Sequence, residues 1–285
     1  MTITIGTPIV PLLFDHDSFN WEIFRSGAVH VFLDYDGTLT PIVSDPAKAY
    51  LPNDMSDAII DLTELYPVSI VTGRGRSCIR NFLGDHLCSK LSIASSHGFD
   101  IHLKNGEYLH VGDNSILEQF DAFKSDLRDS FSEFPLGCSL EDNEFSMSVH
   151  YRNVNEADHL LVECLLDRVL EGYPHLVRKG GKMVMEVRLG VDWNKGKAVD
   201  WILRKLECNP ATCFVVYIGD DVTDEDAFET LNAHYDQHLS VIVASEQDIG
   251  RPTHAEYRMR DQNEVLKFLL KLISLRQRPN NTANP

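Results

Sequence analysis

The sequence predicts an α/β fold: a mostly parallel sheet with helices on both faces, interrupted by an inserted α+β block. Three observations predict it. Short apolar runs alternate with helical patterns up to about residue 95, hairpin-like patterns follow from about residue 100, and the first alternation resumes after about residue 190. Strands that alternate with helices pair in parallel through right-handed crossovers. Functional loops in such sheets lie at the carboxyl ends of the strands.

The first part of the sheet is predicted from five segments before residue 96. Apolar runs bounded by turn residues indicate strands, and apolar residues at helical spacing indicate helices. The order is a strand over 30–34, a helix over 53–66, a strand over 68–72, a helix over 75–84 and a strand over 91–95. Because the strands run in parallel, Asp34 and Thr72 are expected at the same edge of the sheet.

The inserted block has a different, antiparallel character. A hairpin-like turn at 104–107 separates two short apolar runs. The later segments are a helix over 115–131, an alternating strand over 145–151, a helix over 155–171 and an alternating strand over 183–188. This mixture predicts an α+β domain inserted into the parallel one.

The last part of the chain returns to the parallel pattern. It reads as a helix over 195–206, a strand over 213–219, a helix starting near Asp224, a strand over 241–243 and a helix over 264–275. We therefore expect a core formed by residues 1–108 and 189–277, an inserted α+β domain at 109–188 and a disordered tail at 278–285.

Composition restricts the class of protein. A chain of 285 residues, 43% hydrophobic and 24% charged, can bury the core of one large domain or of one domain with an insert. Its net charge of −17 argues against nucleic-acid and anionic-membrane partners. No apolar stretch is long enough to span a bilayer, and no basic residue precedes the apolar part of the N-terminus, as a signal peptide would require. The six cysteines form no CxxC pair, so we expect reduced thiols and a cytoplasmic protein.

The segment VFLDYDGT is the most informative, because its apolar run ends in Asp34 and Asp36. Alternation along an extended chain would put both carboxylates on one side. Two like charges at that distance repel, and a bound divalent cation would relieve the repulsion. The alternative is a strand that ends in a solvated Asp-Gly turn.

Three further sites carry polar groups beside apolar or helical patterns. Thr72 ends a strand and Lys195 precedes a helical pattern. Asp220 follows an apolar run that is typical of a buried strand. Each has a structural alternative: a turn, a solvated lysine in a first helical turn, and a helix cap, respectively. Oxygen-only ligands without Cys or His favour Mg²⁺ over zinc.

Taken in order, these pieces resemble the four signature motifs of the haloacid dehalogenase (HAD) superfamily of phosphatases. The phrases LDYDGTLTPIV, SHGFDI, SVHYR, KMVMEVR, KGKAV and GDDVTDEDAF resemble the trehalose-6-phosphate phosphatases more closely, especially their plant-like branch. The resemblance implies a HAD-type Rossmann-like core with an inserted cap domain. It also implies Mg²⁺-dependent hydrolysis of trehalose 6-phosphate to trehalose and phosphate, in trehalose biosynthesis.

The resemblance also implies roles for single residues. Asp34 would be the nucleophile that forms an aspartyl-phosphate, and Asp36 the general acid and base. Thr72 would hold a phosphate oxygen through its hydroxyl and backbone N–H, and Lys195 would shield the nucleophile. The implied metal ligands are Asp34, Asp36 (through its backbone carbonyl), Asp220 and Asp224.

Substrate recognition is expected from the loops of the core and from the inserted domain. The expected residues are Arg74, His97, Gly98, Glu141, Arg152, Lys182, Glu186 and Arg188. A structural histidine and solvated strand charges are the alternatives. The chain departs from the family pattern at three places: Asn194 stands where Asp is common, Asn143 or Glu144 where some relatives have Lys, and Leu189 where Pro is common.

Other functions remain open at this point. A sucrose-6-phosphate phosphatase or another sugar phosphatase would use the same core, and a non-catalytic sensor of trehalose 6-phosphate would need only binding. The expected partner is the small-molecule substrate, with no nucleic acid and no membrane. We expect a monomer, with a separate trehalose-phosphate synthase as a possible partner.

Overall fold

A computed structural model describes residues 10–16, 19–43, 45–112, 114–132, 136–181, 183–248 and 250–277. The predicted tail at 278–285 and the predicted substrate residue Lys182 lie outside the described residues. The strands are β1 (Ala28–Leu33), β2 (Val68–Val71), β3 (Ser92–Ser95), β4 (Asp100–His102), β5 (Tyr108–His110), β6 (Ser139–Asp142), β7 (Ser146–His150), β8 (Leu176–Gly181), β9 (Val184–Leu189), β10 (Cys213–Gly219), β11 (His238–Val243) and β12 (Tyr257–Met259).

The helices alternate with the core strands as predicted. They are α1 (Ile23–Ser26), α2 (Asn53–Thr63), α3 (Arg76–Cys88), α4 (Asn114–Ser130), α5 (His159–Leu170), α6 (Lys195–Lys205), α7 (Val222–His234) and α8 (Gln262–Gln277). Helices α2, α3 and α8 bury Ile59, Ile79 and Phe268 against one face of the large sheet. Helices α6 and α7 bury Val199 and Phe228 against the other face. The sheet is therefore covered on both sides.

The large sheet has eight strands in the order β12-β11-β10-β1-β2-β3-β4-β5. Strands β1 and β10 lie at its centre and pair in parallel, with Leu33 opposite Ile218. Both are almost continuously apolar, as expected for a strand buried on both faces. The backbone N–H of Asp34 donates to the Ile218 carbonyl at 2.9 Å. This register brings the residues that follow β1 and β10 to the same edge of the sheet.

The inserted block forms its own antiparallel sheet, in the order β6-β7-β9-β8. Helices α4 and α5 pack on it and share a separate core that includes Phe123, Val149, Leu166 and Val187. This is the predicted α+β block. Its antiparallel character was expected from residue 101, but β4 pairs with β3 and β5 pairs with β4, so both belong to the large sheet. The hairpin therefore extends the core sheet, and β5 crosses the predicted boundary at residue 108.

Three strands were missed in the sequence: β6, β8 and β12. Each lies at the edge of its sheet, where a strand buries less apolar surface and its pattern is weak. Strand β6 (SLED) is mostly exposed, and β8 (LVRKGG) ends in two glycines. The described part of the chain contains no helix that is both long and apolar enough to cross a membrane.

The loop between β6 and β7 joins the inserted block to the core. The Glu144 carboxylate accepts hydrogen bonds from the backbone N–H groups of Arg76 and Ser77 at 2.9 and 3.0 Å, at the start of α3. Glu144 has a φ of 66°, a left-handed conformation that few residues other than glycine adopt. Because helix N-termini have unpaired N–H groups and favour negative charge, this contact holds the block over the edge that carries Asp34.

Candidate active site

A buried lysine connects the ends of the two central strands. Lys195 is the first residue of α6, and its Nζ donates to Asp34 Oδ1 at 2.9 Å and to Asp224 Oδ1 at 2.8 Å. Asn194 caps the N-terminus of this helix, because its side-chain oxygen accepts a hydrogen bond from the Lys197 N–H at 2.9 Å. Asn and Asp cap helices about equally well, so the departure at position 194 keeps the lysine in place.

Asp224 is completely buried, and both of its carboxylate oxygens are hydrogen-bonded. Besides Lys195, it accepts from the Tyr217 hydroxyl at 2.7 Å and from the backbone N–H groups of Asp220 and Asp221 at 3.0 and 3.1 Å. Asp224 therefore fixes the lysine and the Asp220 loop, rather than presenting a free oxygen. Tyr217 was missed in the sequence, although it is the one aromatic residue in the run VVYIG that ends β10.

The site holds more negative than positive charge. Among the described residues, the carboxylates of Asp34, Asp220, Asp221 and Asp224 surround the ammonium of Lys195. Burial, and then the charges of Asp224 and Asp221, raise the pKa of Asp220 to about 7. Burial lowers the pKa of Lys195, but the carboxylates of Asp224 and Asp34 more than offset this, so its pKa is raised. An additional cation would relieve the remaining repulsion.

The donor set fits a hard divalent cation. Carboxylate oxygens of Asp34, Asp220 and Asp224 lie within 4.8 Å of one another. Gly37 has a φ of 79°, and a Cβ at that position would lie 2.0 Å from Asp220 Oδ2, so only glycine lets this carboxylate reach the site. An all-oxygen set of this kind suits Mg²⁺. Asp34 and Asp220 have more oxygen lone pairs free for a metal ion than Asp224, because Asp224 already accepts hydrogen bonds from four donors.

The Asp36 side chain does not join this group, and its expected contact with the metal is through the backbone carbonyl. Arg74 Nε donates to Asp36 Oδ2 at 2.7 Å, and Arg74 Nη2 donates to Oδ1 at 2.6 Å. The guanidinium also stacks over the Phe82 ring at 4.5 Å. Such a two-point ion pair fixes the direction of the Asp36 carboxylate. Arg74, expected to bind substrate, thus positions the expected general acid.

Thr72 differs from its expected role in one respect. Its backbone N–H donates to the Ala94 carbonyl at 2.9 Å, because Thr72 continues the pairing of β2 with β3. That N–H is therefore not available to a phosphate oxygen. The hydroxyl accepts from the Arg74 N–H at 3.2 Å, and the side chain is completely buried.

His97 and Gly98 lie in a left-handed turn after β3, where Ser96, His97 and Gly98 have φ values of 49°, 57° and 88°. The His97 Nδ1 atom is buried and has no hydrogen-bond partner within the described residues. Burial, and then the Lys195 charge, lower the pKa of His97 to about 4, so the ring is neutral. A Cβ on Gly98 would lie 2.3 Å from Ala198 Cβ, so glycine is needed here for the turn to pack closely against α6.

The cleft between the two blocks has a volume of about 440 Å³ and is lined by both. Sequence-predicted residues that line it are Asp34, Asp36, Arg74, His97, Glu141, Glu186, Lys195 and Asp220. In the small sheet, Glu141 pairs with Ser148, which pairs with Glu186. The register therefore places two carboxylates on either side of a hydroxyl. Ser146 and Ser148 also line the cleft and were missed, although both belong to the alternating face of β7.

Other predicted substrate residues lie outside the cleft lining. Arg152 is exposed in the turn after β7, because the strand has already ended at His150. Arg188 shares a half-buried face of β9 with Glu186 and pairs with Ser146.

Comparison with known proteins gives a consistent result. A family model described as trehalose-phosphatase matches residues 32–263. A probable trehalose-phosphate phosphatase 4 of Oryza sativa subsp. japonica is 36% identical over 263 residues, which are 91% of this chain and 70% of the relative. A probable trehalose-phosphate phosphatase D of Arabidopsis thaliana is 35% identical over 266 residues, which are 90% of this chain and 70% of the relative.

Solved structures resemble the whole fold. The crystal structure of a trehalose-6-phosphate phosphatase related protein aligns with a TM-score of 0.69 and 27% identity, over 86% of this chain and 97% of that one. The trehalose-6-phosphate phosphatase of Aspergillus fumigatus aligns with a TM-score of 0.64 and 23% identity, over 93% of this chain and 99% of that one.

Proposed function

Because the chain belongs to the trehalose-phosphatase family, we propose that it hydrolyses trehalose 6-phosphate to trehalose and inorganic phosphate, with Mg²⁺ as its cofactor. The observation that carries the proposal is the contact of Lys195 with Asp34 and Asp224, buried at the base of a cleft lined by both blocks. A buried ammonium among carboxylates is costly for a purely structural purpose, and such perturbed groups concentrate at functional sites.

In the proposed mechanism, Asp34 attacks the phosphorus atom and forms an aspartyl-phosphate. Lys195 holds Asp34 Oδ1, so Oδ2 is the oxygen left to attack. The bound Mg²⁺ would neutralise charge on the transferring phosphoryl group. Lys195 keeps the nucleophile oriented and reduces its repulsion of the incoming phosphate, so the chain supplies positioning and charge together.

Asp36 would give a proton to the leaving sugar oxygen and later take one from the attacking water. The two-point ion pair with Arg74 holds the Asp36 carboxylate at the edge of the cleft. Each carboxylate oxygen of Asp36 accepts one hydrogen bond from Arg74 and keeps a second lone pair, so the ion pair leaves a place for the transferred proton.

The first test is phosphate release from trehalose 6-phosphate by the wild-type protein. We expect release to stop after exhaustive dialysis against EDTA and to return with Mg²⁺, because the ligands are carboxylate oxygens. Restoration by Mg²⁺ should exceed restoration by Ca²⁺, which prefers longer bonds and more ligands. Full activity after chelation would exclude the proposed cofactor.

The pKa of Asp220 predicts how Mg²⁺ binding depends on pH. Its pKa is raised to about 7, so below this pH a proton occupies the carboxylate that the ion needs. The apparent Kd for Mg²⁺ should therefore rise about tenfold between pH 8 and pH 6, one proton being displaced per ion. Calorimetric titration at the two pH values measures it. The Asp220→Asn variant should bind weakly at both, and an equal Kd for the wild type at both would contradict this role for Asp220.

Recognition of the sugar is proposed to come from the inserted block acting as a cap over the core, with the division at residues 109 and 188 as expected from the sequence. Glu141 and Glu186 face the cleft and are acceptors for sugar hydroxyl groups. Binding energy from this remote part of the substrate would orient the phosphate and exclude water. Lys182 keeps its proposed substrate role from the sequence alone.

Glu186→Ala should therefore separate recognition from chemistry. We expect kcat/KM for trehalose 6-phosphate to fall by roughly 10- to 1,000-fold, a cost of about 1.4 to 4 kcal/mol. Hydrolysis of a small aryl phosphate should change little, since it does not reach the small sheet. The exposed Glu171, at the end of α5, gives a matched control as Glu171→Ala. An unchanged ratio of the two kcat/KM values would remove Glu186 from recognition.

We also propose that the protein acts as a monomer in the cytoplasm and receives its substrate from a separate trehalose-phosphate synthase. All six cysteines are free thiols in the structure, which suits a reducing compartment.

A further inference from the structure

A second cluster of possible metal ligands lies on the hairpin formed by β4 and β5. Asp100 and His102 are two residues apart on β4 and so share one face of the strand. His110 on β5 pairs directly with Asp100, which puts its side chain on the same face. The intervening Ile101 points to the opposite face and is buried in the core. The hairpin register therefore brings two imidazoles and a carboxylate together.

The distances within the cluster are short. His102 Nε2 lies 2.9 Å and His110 Nδ1 lies 3.2 Å from the same oxygen, Asp100 Oδ1. One ligand atom from each of the three residues lies within 4.8 Å of the other two. The Asp100 carboxylate is buried, and the Ser95 hydroxyl donates to its Oδ2 at 3.2 Å, which fixes its orientation. None of the three residues lines the active-site cleft.

The surroundings of the cluster suit metal binding. Burial lowers the pKa of His102, and the Arg76 charge acts in the same direction against the raising effect of Asp100. The His102 ring stacks on Tyr108 at 5.8 Å and the His110 ring on Phe145 at 6.1 Å, and such aromatic neighbours orient the ligands and limit water. The His110 side chain is 37% exposed, so an ion can enter from solvent.

We propose that Asp100, His102 and His110 bind one divalent transition-metal ion of the Zn²⁺ class, with water at the remaining position. Two imidazole nitrogens and one carboxylate oxygen are a common donor set for such ions, whereas the active-site cluster offers oxygen alone. The bound ion would cross-link β4 to β5 beside Phe145 of the inserted block. The competing explanation is that Asp100 only accepts hydrogen bonds from the two histidines.

The test is a calorimetric titration of the wild-type protein with Zn²⁺ in excess Mg²⁺, which occupies the oxygen site. We expect one saturable Zn²⁺ per chain, and at least about 100-fold weaker binding in His110→Ala and His102→Ala. His86→Ala is the matched control, because His86 is exposed on α3 away from the cluster. Absence of saturable binding, or equal affinity in the cluster variants, would overturn the proposal.

X-ray absorption on the zinc-loaded wild type gives an answer that does not depend on how the variants fold. Two imidazole nitrogens in the first coordination shell would support the hairpin site. A shell of oxygen atoms alone would place the zinc among the acidic residues of the cleft and overturn the proposal.

Discussion

Replacing Asp34 with Asn is expected to lower kcat for trehalose 6-phosphate by at least about 10,000-fold. An amide does not accept the phosphoryl group, so the proposed covalent step is lost. The fold should survive, because Lys195 keeps its contact with Asp224 at 2.8 Å and is not left without a carboxylate. Steady-state phosphate release, together with thermal unfolding of both proteins, measures the two effects.

A matched control is Asp57→Asn, an exposed aspartate on α2 whose substitution should leave kcat unchanged. Residual activity of Asp34→Asn within about tenfold of the wild type would exclude Asp34 as the nucleophile. A variant that also unfolds would show instead that the Asp34 carboxylate holds the ends of the central strands together.

Replacing Lys195 with Met is expected to have the largest effect on stability. The methionine keeps most of the stem, but the buried carboxylates of Asp34 and Asp224 lose their counter-charge. Removing one partner of a buried ion pair costs about 3–5 kcal/mol of unfolding free energy. Activity should also fall to near background, since the nucleophile is no longer oriented. Denaturant unfolding at pH 7 in EDTA measures the free energy of unfolding without the stabilisation that a bound metal ion would add.

Lys197→Met provides the comparison, because this lysine lies two residues further along α6 and its side chain is 41% exposed in an ion pair with Asp192. Exposed pairs contribute about 0–1 kcal/mol, so this variant should unfold almost like the wild type. The double variant Lys195→Met with Asp224→Asn should recover part of the lost stability, because one unpaired charge is removed. Equal stability of Lys195→Met and the wild type would mean that the carboxylates are neutral in the folded protein.

The sequence predicted the parts of the site that follow directly from strand ends. Asp34 and Asp220 come straight after buried apolar runs, and the register of β1 with β10 then brings them together. Lys195 was predicted through its motif, and its contact with Asp34 spans 161 residues of sequence. The local sequence pattern does not predict a contact between residues so far apart in the chain. The alternating faces of β9 predicted that Glu186 and Arg188 share a side, but not that only Glu186 lines the cleft.

Contacts between distant loops could not be predicted for the same physical reason. The two-point ion pair between Arg74 and Asp36 depends on how the turn after β2 approaches the turn after β1. The hydrogen bonds from α3 to Glu144 depend on where the inserted block docks. The hairpin shows the reverse difficulty: the expected boundary at residue 108 falls within β5, since β4 and β5 have an antiparallel pattern that fits either sheet. The pairing of β4 with β3 assigns the hairpin to the large sheet.

The central claim is that the chain is a phosphatase for trehalose 6-phosphate, and one comparison of substrates tests it most directly. The measurement is kcat/KM for phosphate release from trehalose 6-phosphate, sucrose 6-phosphate and glucose 6-phosphate, with saturating Mg²⁺. Glu186 should favour the trehalose ester, because a missing or misplaced sugar hydroxyl leaves this carboxylate in the cleft without that partner, whereas Glu141 also contacts His150. We expect a preference of at least about 100-fold. Equal or higher kcat/KM for sucrose 6-phosphate, or binding of trehalose 6-phosphate without any phosphate release, would contradict the claim.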